Sequence, residues 1–366
     1  MGRVIAGLAI MLALVALGAP AQAASPKSGA LRSGASRSAA LKPRPLKPGT
    51  FTSREAVLGW MNQYRLHRDP AHVPDAVHAM SQLGIFKDAE NAGAFIGFIA
   101  GVLRDNAGQA DQLLERMLPI PAEDQWALVQ AVAYSEMPGW KDLLYRHRAS
   151  LPTRQLMIQK YLMDELPTLQ QAGFQEAPGT FAKLGGWIGL GDKDKKKVAL
   201  LPTPALLDIL WGYYCATGSF NPAISDIIAL LTWSKNRDDV DKLTLGGMAK
   251  YTLAANASRD AKLLAMLKSV AQYYPKDVKK ELDEVTLAAE TMDLARLRKD
   301  ALASIDELKR KGPGYKRDVS TWGQIGQGAL ALGCIGAAAA GQIEFGIPCV
   351  VTGAMSSAGL HYFETQ

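Results

Sequence analysis

Cysteine, aromatic residues and histidine are scarce in this chain, and acidic residues are missing altogether from its first fifty positions. Three cysteines in 366 residues cannot build a disulfide-dense scaffold. Aromatic side chains make up only 7%, and five histidines leave few imidazoles for metal or general-base chemistry. Alternating strand patterns closed by hairpin turns are almost absent, which argues against an all-β fold. What is present is ordinary: 48% apolar and 21% charged residues exclude a wholly disordered chain and a collagen-like fibre. The length suits one large or two ordinary domains.

The absence of early acids matters for the charge balance. Seven of the 41 basic residues (Arg3, Lys27, Arg32, Arg37, Lys42, Arg44 and Lys47) lie in residues 1–50, leaving 34 basic residues against 35 acidic ones in the rest. The overall charge of +6 therefore belongs to the front of the chain, and the body is nearly neutral. A folded basic face for nucleic acid is not expected.

Residues 1–23 have the form of a secretory signal peptide. Arg3 precedes an apolar run from Val4 to Leu17, Gly18-Ala19-Pro20 breaks it, and Ala21-Gln22-Ala23 supplies the small residues a signal peptidase reads. Cleavage after Ala23 would deliver a periplasmic or extracytoplasmic protein; an uncleaved N-terminal anchor is the alternative. Residues 24–50 are Ser, Ala, Gly, Pro, Lys and Arg with almost nothing to bury, so a flexible basic linker is expected. Its positive charge suits an anionic membrane or cell-wall polymer.

From Thr52 onward apolar residues recur at three and four positions. Ala56, Trp60, Tyr64 and His67 follow a Thr52-Ser53-Arg54-Glu55 capping signal. Pro74-Asp75 opens a second helix closed by Gly84, and Asp88 leads to a third bearing Phe95, Ile96, Ile99 and Leu103. Pro121 to Asp124 starts another that Pro138-Gly139 ends, with further helices over 139–149 and 153–170. After a glycine- and lysine-rich stretch, residues 173–203, helices return as pairs: 204–217 with 221–233, and 239–255 with 258–274. A long charged helix is expected from Lys276 to about Arg310. The fold class is all-α, arranged as an N-terminal helical region (51–172), the 173–203 loop, a second helical region (204–317) and an apolar C-terminal segment (318–366).

Leu210 and Tyr214, the turn residues Gly218 and Phe220, and Ala223 and Ile224 give the 204–235 pair a resemblance to tetratricopeptide repeats. Trp211 departs from that pattern, where the family prefers a very small residue, and the terminal proline is missing. The resemblance extends loosely to Asn256, Ser258 and Ala261. It implies antiparallel helical hairpins stacked in a solenoid-like arrangement that binds a protein or peptide.

Motifs for chemistry are sparse. His67, His72 and His78 lie close to Asp69 and Asp75, but Pro70 and Pro74 interrupt the helical spacing of an HExxH zinc site. No G-x-S-x-G elbow or S-x-x-K pair occurs. The glycines from Gly186 to Gly191 lead into Asp192 and not into the Lys-Ser or Lys-Thr of a phosphate loop. No catalytic residue, metal or cofactor is expected on these grounds, and Cys215 reads as a small buried residue. Trp187, Ile188 and Leu190 beside Lys195, Lys196 and Lys197 form the candidate interaction surface, suited to an acidic partner or an anionic lipid; Trp187 folded into the core is the alternative.

Between Gly323 and Leu360 the only charge is Glu344. Two Gly/Ala-rich stretches, Ile325–Ile343 and Phe345–Leu360, read as a C-terminal helical hairpin, either buried in the protein or inserted in a membrane. Cys334 and Cys349 are equidistant from Gly341-Gln342, so a hairpin turning there would bring them together for a disulfide; two reduced, buried thiols are the alternative. These features converge on an exported helical interaction or scaffold protein of the bacterial cell envelope. A membrane-anchored protein and a metal-dependent hydrolase remain the competing expectations.

Overall fold

Local capping places the first helix where the spacing predicts it. Ser53 accepts a hydrogen bond from the Ala56 amide at 3.2 Å and starts α1, Arg54–Tyr64. The computed structural model describes residues 50–89, 91–171, 203–236, 239–297, 299, 300 and 303. Helix dominates these residues and no strand occurs among them, so the fold is all-α.

Six further helices complete the first region: α2 (Val73–Gln82), α3 (Gly93–Asp105), α4 (Ala110–Met117), α5 (Gln125–Ser135), α6 (Trp140–His147) and α7 (Gln155–Leu162). Beyond the 173–203 stretch, Thr203 accepts from the Leu206 amide at 2.9 Å and Pro204 occupies the first turn of α8, Pro204–Thr217. Gly218, at φ +67°, ends α8 in the left-handed conformation that glycine adopts without steric cost. Further helices among the described residues are α9 (Ser225–Ala229), α10 (Val240–Ala257), α11 (Ala261–Ala271) and α12 (Lys276–Thr291).

Two of these helices lie at the centre. Every residue of α3 from Gly93 to Leu103 is buried, and so is every residue of α8 from Leu206 to Thr217. Helices apolar all round belong inside a fold. The two cross at backbone contact distance because Gly93, Gly97 and Gly101, recurring every fourth residue on α3, face Ala205, Ile209 and Ala216 of α8, while Gly212 of α8 faces Ala94 and Phe98. A Cβ at Gly97 would lie 1.9 Å from the Ile209 carbonyl oxygen, and one at Gly212 would lie 1.9 Å from that of Ala94. Only glycine permits this approach. Through the crossing, residues from α1 to α12 share one hydrophobic core on both sides of the 173–203 stretch.

Three expected helices are interrupted. The one expected over 153–170 ends at Leu162 of α7, and Asp164 follows in the left-handed region at φ +59°. The partner of α8, expected over 221–233, is a π-type turn at Phe220–Ile224, then α9, then a 3-10 segment at Leu230–Lys235. Asn221 leaves helical geometry (φ −96°, ψ 142°) because it precedes Pro222, whose ring disfavours helix one residue earlier. The charged helix from Lys276 stops at Met292, φ +56°, and does not continue unbroken toward Arg310. Asp293 then accepts from the Arg296 amide at 3.3 Å, as a residue opening a new helical turn does.

Candidate functional site

Several expected site residues fall outside the described part of the chain: Trp187, Ile188, Leu190, Lys195, Lys196 and Lys197, and both Cys334 and Cys349. The histidines are described. His67 is exposed beyond the end of α1. His72 is buried, with Nδ1 2.7 Å from the Asp69 carboxylate. His78 lies on α2 with a buried Nε2 that makes no hydrogen bond. Among the described residues no three His, Cys, Asp or Glu side chains gather as metal ligands would. Cys215 is buried, its Sγ donates to Asn62 Oδ1 at 3.5 Å, and burial pushes its thiol up to about 11. That shift disfavours the nucleophilic thiolate.

Most strongly placed charges hold helices together. Arg65, just past α1, reaches Asp260 at 2.6 Å, and the Tyr214 hydroxyl of α8 donates to the same Asp260 oxygen at 2.7 Å. Asp260 also caps α11 by accepting from the Lys262 and Leu263 amides at 3.0 and 3.2 Å. Burial opposes its charge, but the hydrogen bond from Tyr214, the Arg65 charge and the two amides together hold its carboxyl below the usual range. A second clamp centres on Glu281 of α12, buried and paired with Lys235 and, at 2.7 Å, with Lys250 of α10. Its carboxyl is likewise held down by the two lysines against the effect of burial. Ser81 of α2 donates at 2.5 Å to Asp124, just before α5.

Two carboxyl groups behave differently. Glu136 follows α5 in a left-handed conformation, φ +46°, and accepts the Gln170 amide at 2.8 Å. Asp226, in the first turn of α9, accepts from Ser225 at 3.5 Å. Burial, opposed by the Ser225 hydroxyl and reinforced by the Glu136 charge, pushes the Asp226 carboxyl up to about 7. Burial also raises Glu136, although Thr168, Gln170 and Arg104 work the other way. Tyr274 is raised by burial and then by the charge of Asp226. Tyr213 of α8, 1% exposed, is pushed up to about 12, by burial first, with Glu136 among the charges that act on it. Its hydroxyl makes no hydrogen bond.

The charge of Glu136 thus acts on Asp226, ninety residues later, and that of Asp226 on Tyr274. Sequence reasoning missed both because neither acid sits in a motif; the one local signal is Glu136 before Met137-Pro138-Gly139, at the expected helix end. No protein-family model, no curated protein and no solved structure matches this chain.

Proposed function

We propose that the protein is an exported, non-enzymatic helical protein acting through protein–protein contact in the bacterial cell envelope. The observation carrying this reading is the use of the ionisable side chains: Arg65, Asp260, Lys250 and Glu281 join helices and fix a rigid frame. A rigid frame with apolar side chains on its surface is suited to presenting a partner-binding face. Leu156 and Met163, 66% and 59% exposed and seven residues apart at the two ends of α7, supply such side chains, with Gln159 and Lys160 between them. Seven-residue spacing on a helix provides anchors for a partner groove. The N-terminal leader and the basic segment 24–50 support the envelope address and contact with anionic polymer or lipid. A second reading, favoured by the single charge between Gly323 and Leu360, keeps the same body but anchors it in the bilayer through the C-terminal hairpin.

Photo-crosslinking side chains placed at Leu156, Met163 and, as a control, exposed Lys279 test the reading in the native host. The same discrete adduct from the first two positions, and none from the third, is expected. No adduct at 156 and 163, or the same pattern from all three, would overturn it.

A further inference from the structure

Burial divides the methionines. Met61, Met80, Met117, Met137 and Met248 are buried, Met157 and Met266 are partly buried against the core, and Met163 and Met292 stand exposed. Peroxides oxidise a thioether where they can reach its sulfur, so this burial ranks the side chains by reactivity.

Met163 combines exposure with a fixed position at the end of α7. Its backbone N–H donates to the Gln159 carbonyl at 3.0 Å, and Gln159 Nε2 donates to its Sδ at 3.9 Å. Lys141 of α6 pins the residues on either side, donating to the Leu162 carbonyl at 3.3 Å and to the two Asp164 carboxylate oxygens at 2.7 and 2.8 Å. The sulfur is therefore offered to solvent from an anchored helix end, with an amide donor beside it. A thioether is a weak acceptor for such a donor, whereas a sulfoxide presents a polar oxygen to it.

We propose that Met163 is an oxidation site through which a hydroperoxide weakens the α7 contact, an inference that rests on the contact reading given above. The sulfur lone pair attacks one peroxide oxygen, and the S–O bond forms as the O–O bond breaks. With hydrogen peroxide, the departing oxygen takes up the proton of the transferred one and leaves as water. Sulfur is oxidised, the peroxide is reduced, and no other reactant is consumed. The product replaces an apolar, adaptable anchor with a polar one. Gln159 supplies the new oxygen with one donor, while docking against an apolar partner surface strips it of water. Leu156, the other anchor, carries no oxidisable atom. Met292, 63% exposed and outside α7, is the internal reference for reactivity without consequence at the contact.

The test has two arms, both on the full mature chain with hydrogen peroxide as the probe. In the first, peptide mass mapping of the purified protein follows oxygen uptake at each methionine over time. Met163 and Met292 should be oxidised first, and the five buried methionines last, with the thermal transition unchanged once the first two have reacted. In the second, a photo-crosslinking side chain at position 156 reports the contact in the native host, before and after a peroxide pulse. The adduct should fall about tenfold with Met163 present, persist with Met163→Leu, and be weak without peroxide in Met163→Gln. Oxidation of Met163 no faster than that of the buried methionines would overturn the proposal whatever the crosslinking shows. So would an adduct that falls equally in Met163→Leu, or one that survives complete oxidation of Met163. An adduct missing before any peroxide is added would overturn the contact reading itself, and the switch with it.

Discussion

Asp260 and Asp226 are both partly buried aspartates, and their neighbours give them opposite roles. Asp260 receives the Arg65 guanidinium, the Tyr214 hydroxyl and two backbone amides, so its folded carboxyl lies below the ordinary value of 3.8. The unfolded chain therefore binds its proton more tightly; the stability it contributes is complete above 3.8 and disappears as pH falls through the lower folded value. Asp226 is raised to about 7, so its contribution is complete below 3.8 and is lost as pH rises through about 7. Urea unfolding of single substitutions from pH 3 to pH 8 checks both signs. Asp260→Ala should cost about 3 kcal/mol at pH 7, since it leaves Arg65 unpaired and α11 uncapped, and the cost should shrink toward pH 3. Asp226→Asn should be close to neutral at pH 4 and stabilising at pH 8. Opposite slopes at either position would contradict the assignments.

At the scale of elements, the crossing of α3 and α8 is the feature on which most of the packing depends. Gly97→Ala and Gly212→Ala each drive a methyl group into a backbone carbonyl of the facing helix, and neither helix can move away without dragging a core shared by all the others. Each should cost more than about 4 kcal/mol, seen as loss of the cooperative thermal transition in circular dichroism. Gly108→Ala is the matched control: a Cβ there meets nothing within 4 Å, and the change should be neutral or slightly stabilising. A mild effect at Gly97 and Gly212 would mean that the helices do not approach so closely.

The same elements show what was legible in the sequence. Ser53, Thr203, Pro204 and Gly218 act locally, so helix ends could be placed from them within a residue or two. The apolar residues Phe95, Ile96, Ile99 and Leu103 are buried as their spacing implied. Helix α4 went unread although Leu113, Leu114 and Met117 carry the right spacing, because no proline or capping motif marks its start. The Gly93, Gly97 and Gly101 repeat is visible in the chain, but the residues it packs against, Ala205, Ile209 and Ala216, stand more than a hundred residues later. Glu136 and Asp226 were illegible for a related reason: their burial is made by the packing of helices, and no local pattern encodes it.

Across the described residues, a central helix pair and two ion clamps tie the helices into one core, and Leu156 and Met163 stand exposed on its surface. The proposed function puts that core outside the cytoplasm, where an oxidising compartment would allow the disulfide expected between Cys334 and Cys349. The most direct measurement is fractionation of the native host combined with intact-mass analysis of the protein, followed by carbonate extraction of the membranes. The account predicts a chain beginning at Ala24 in the periplasmic fraction, or held in the membrane through the C-terminal hairpin and released when the chain ends at Arg317. A full-length chain beginning at Met1 and recovered from the cytoplasm would contradict it.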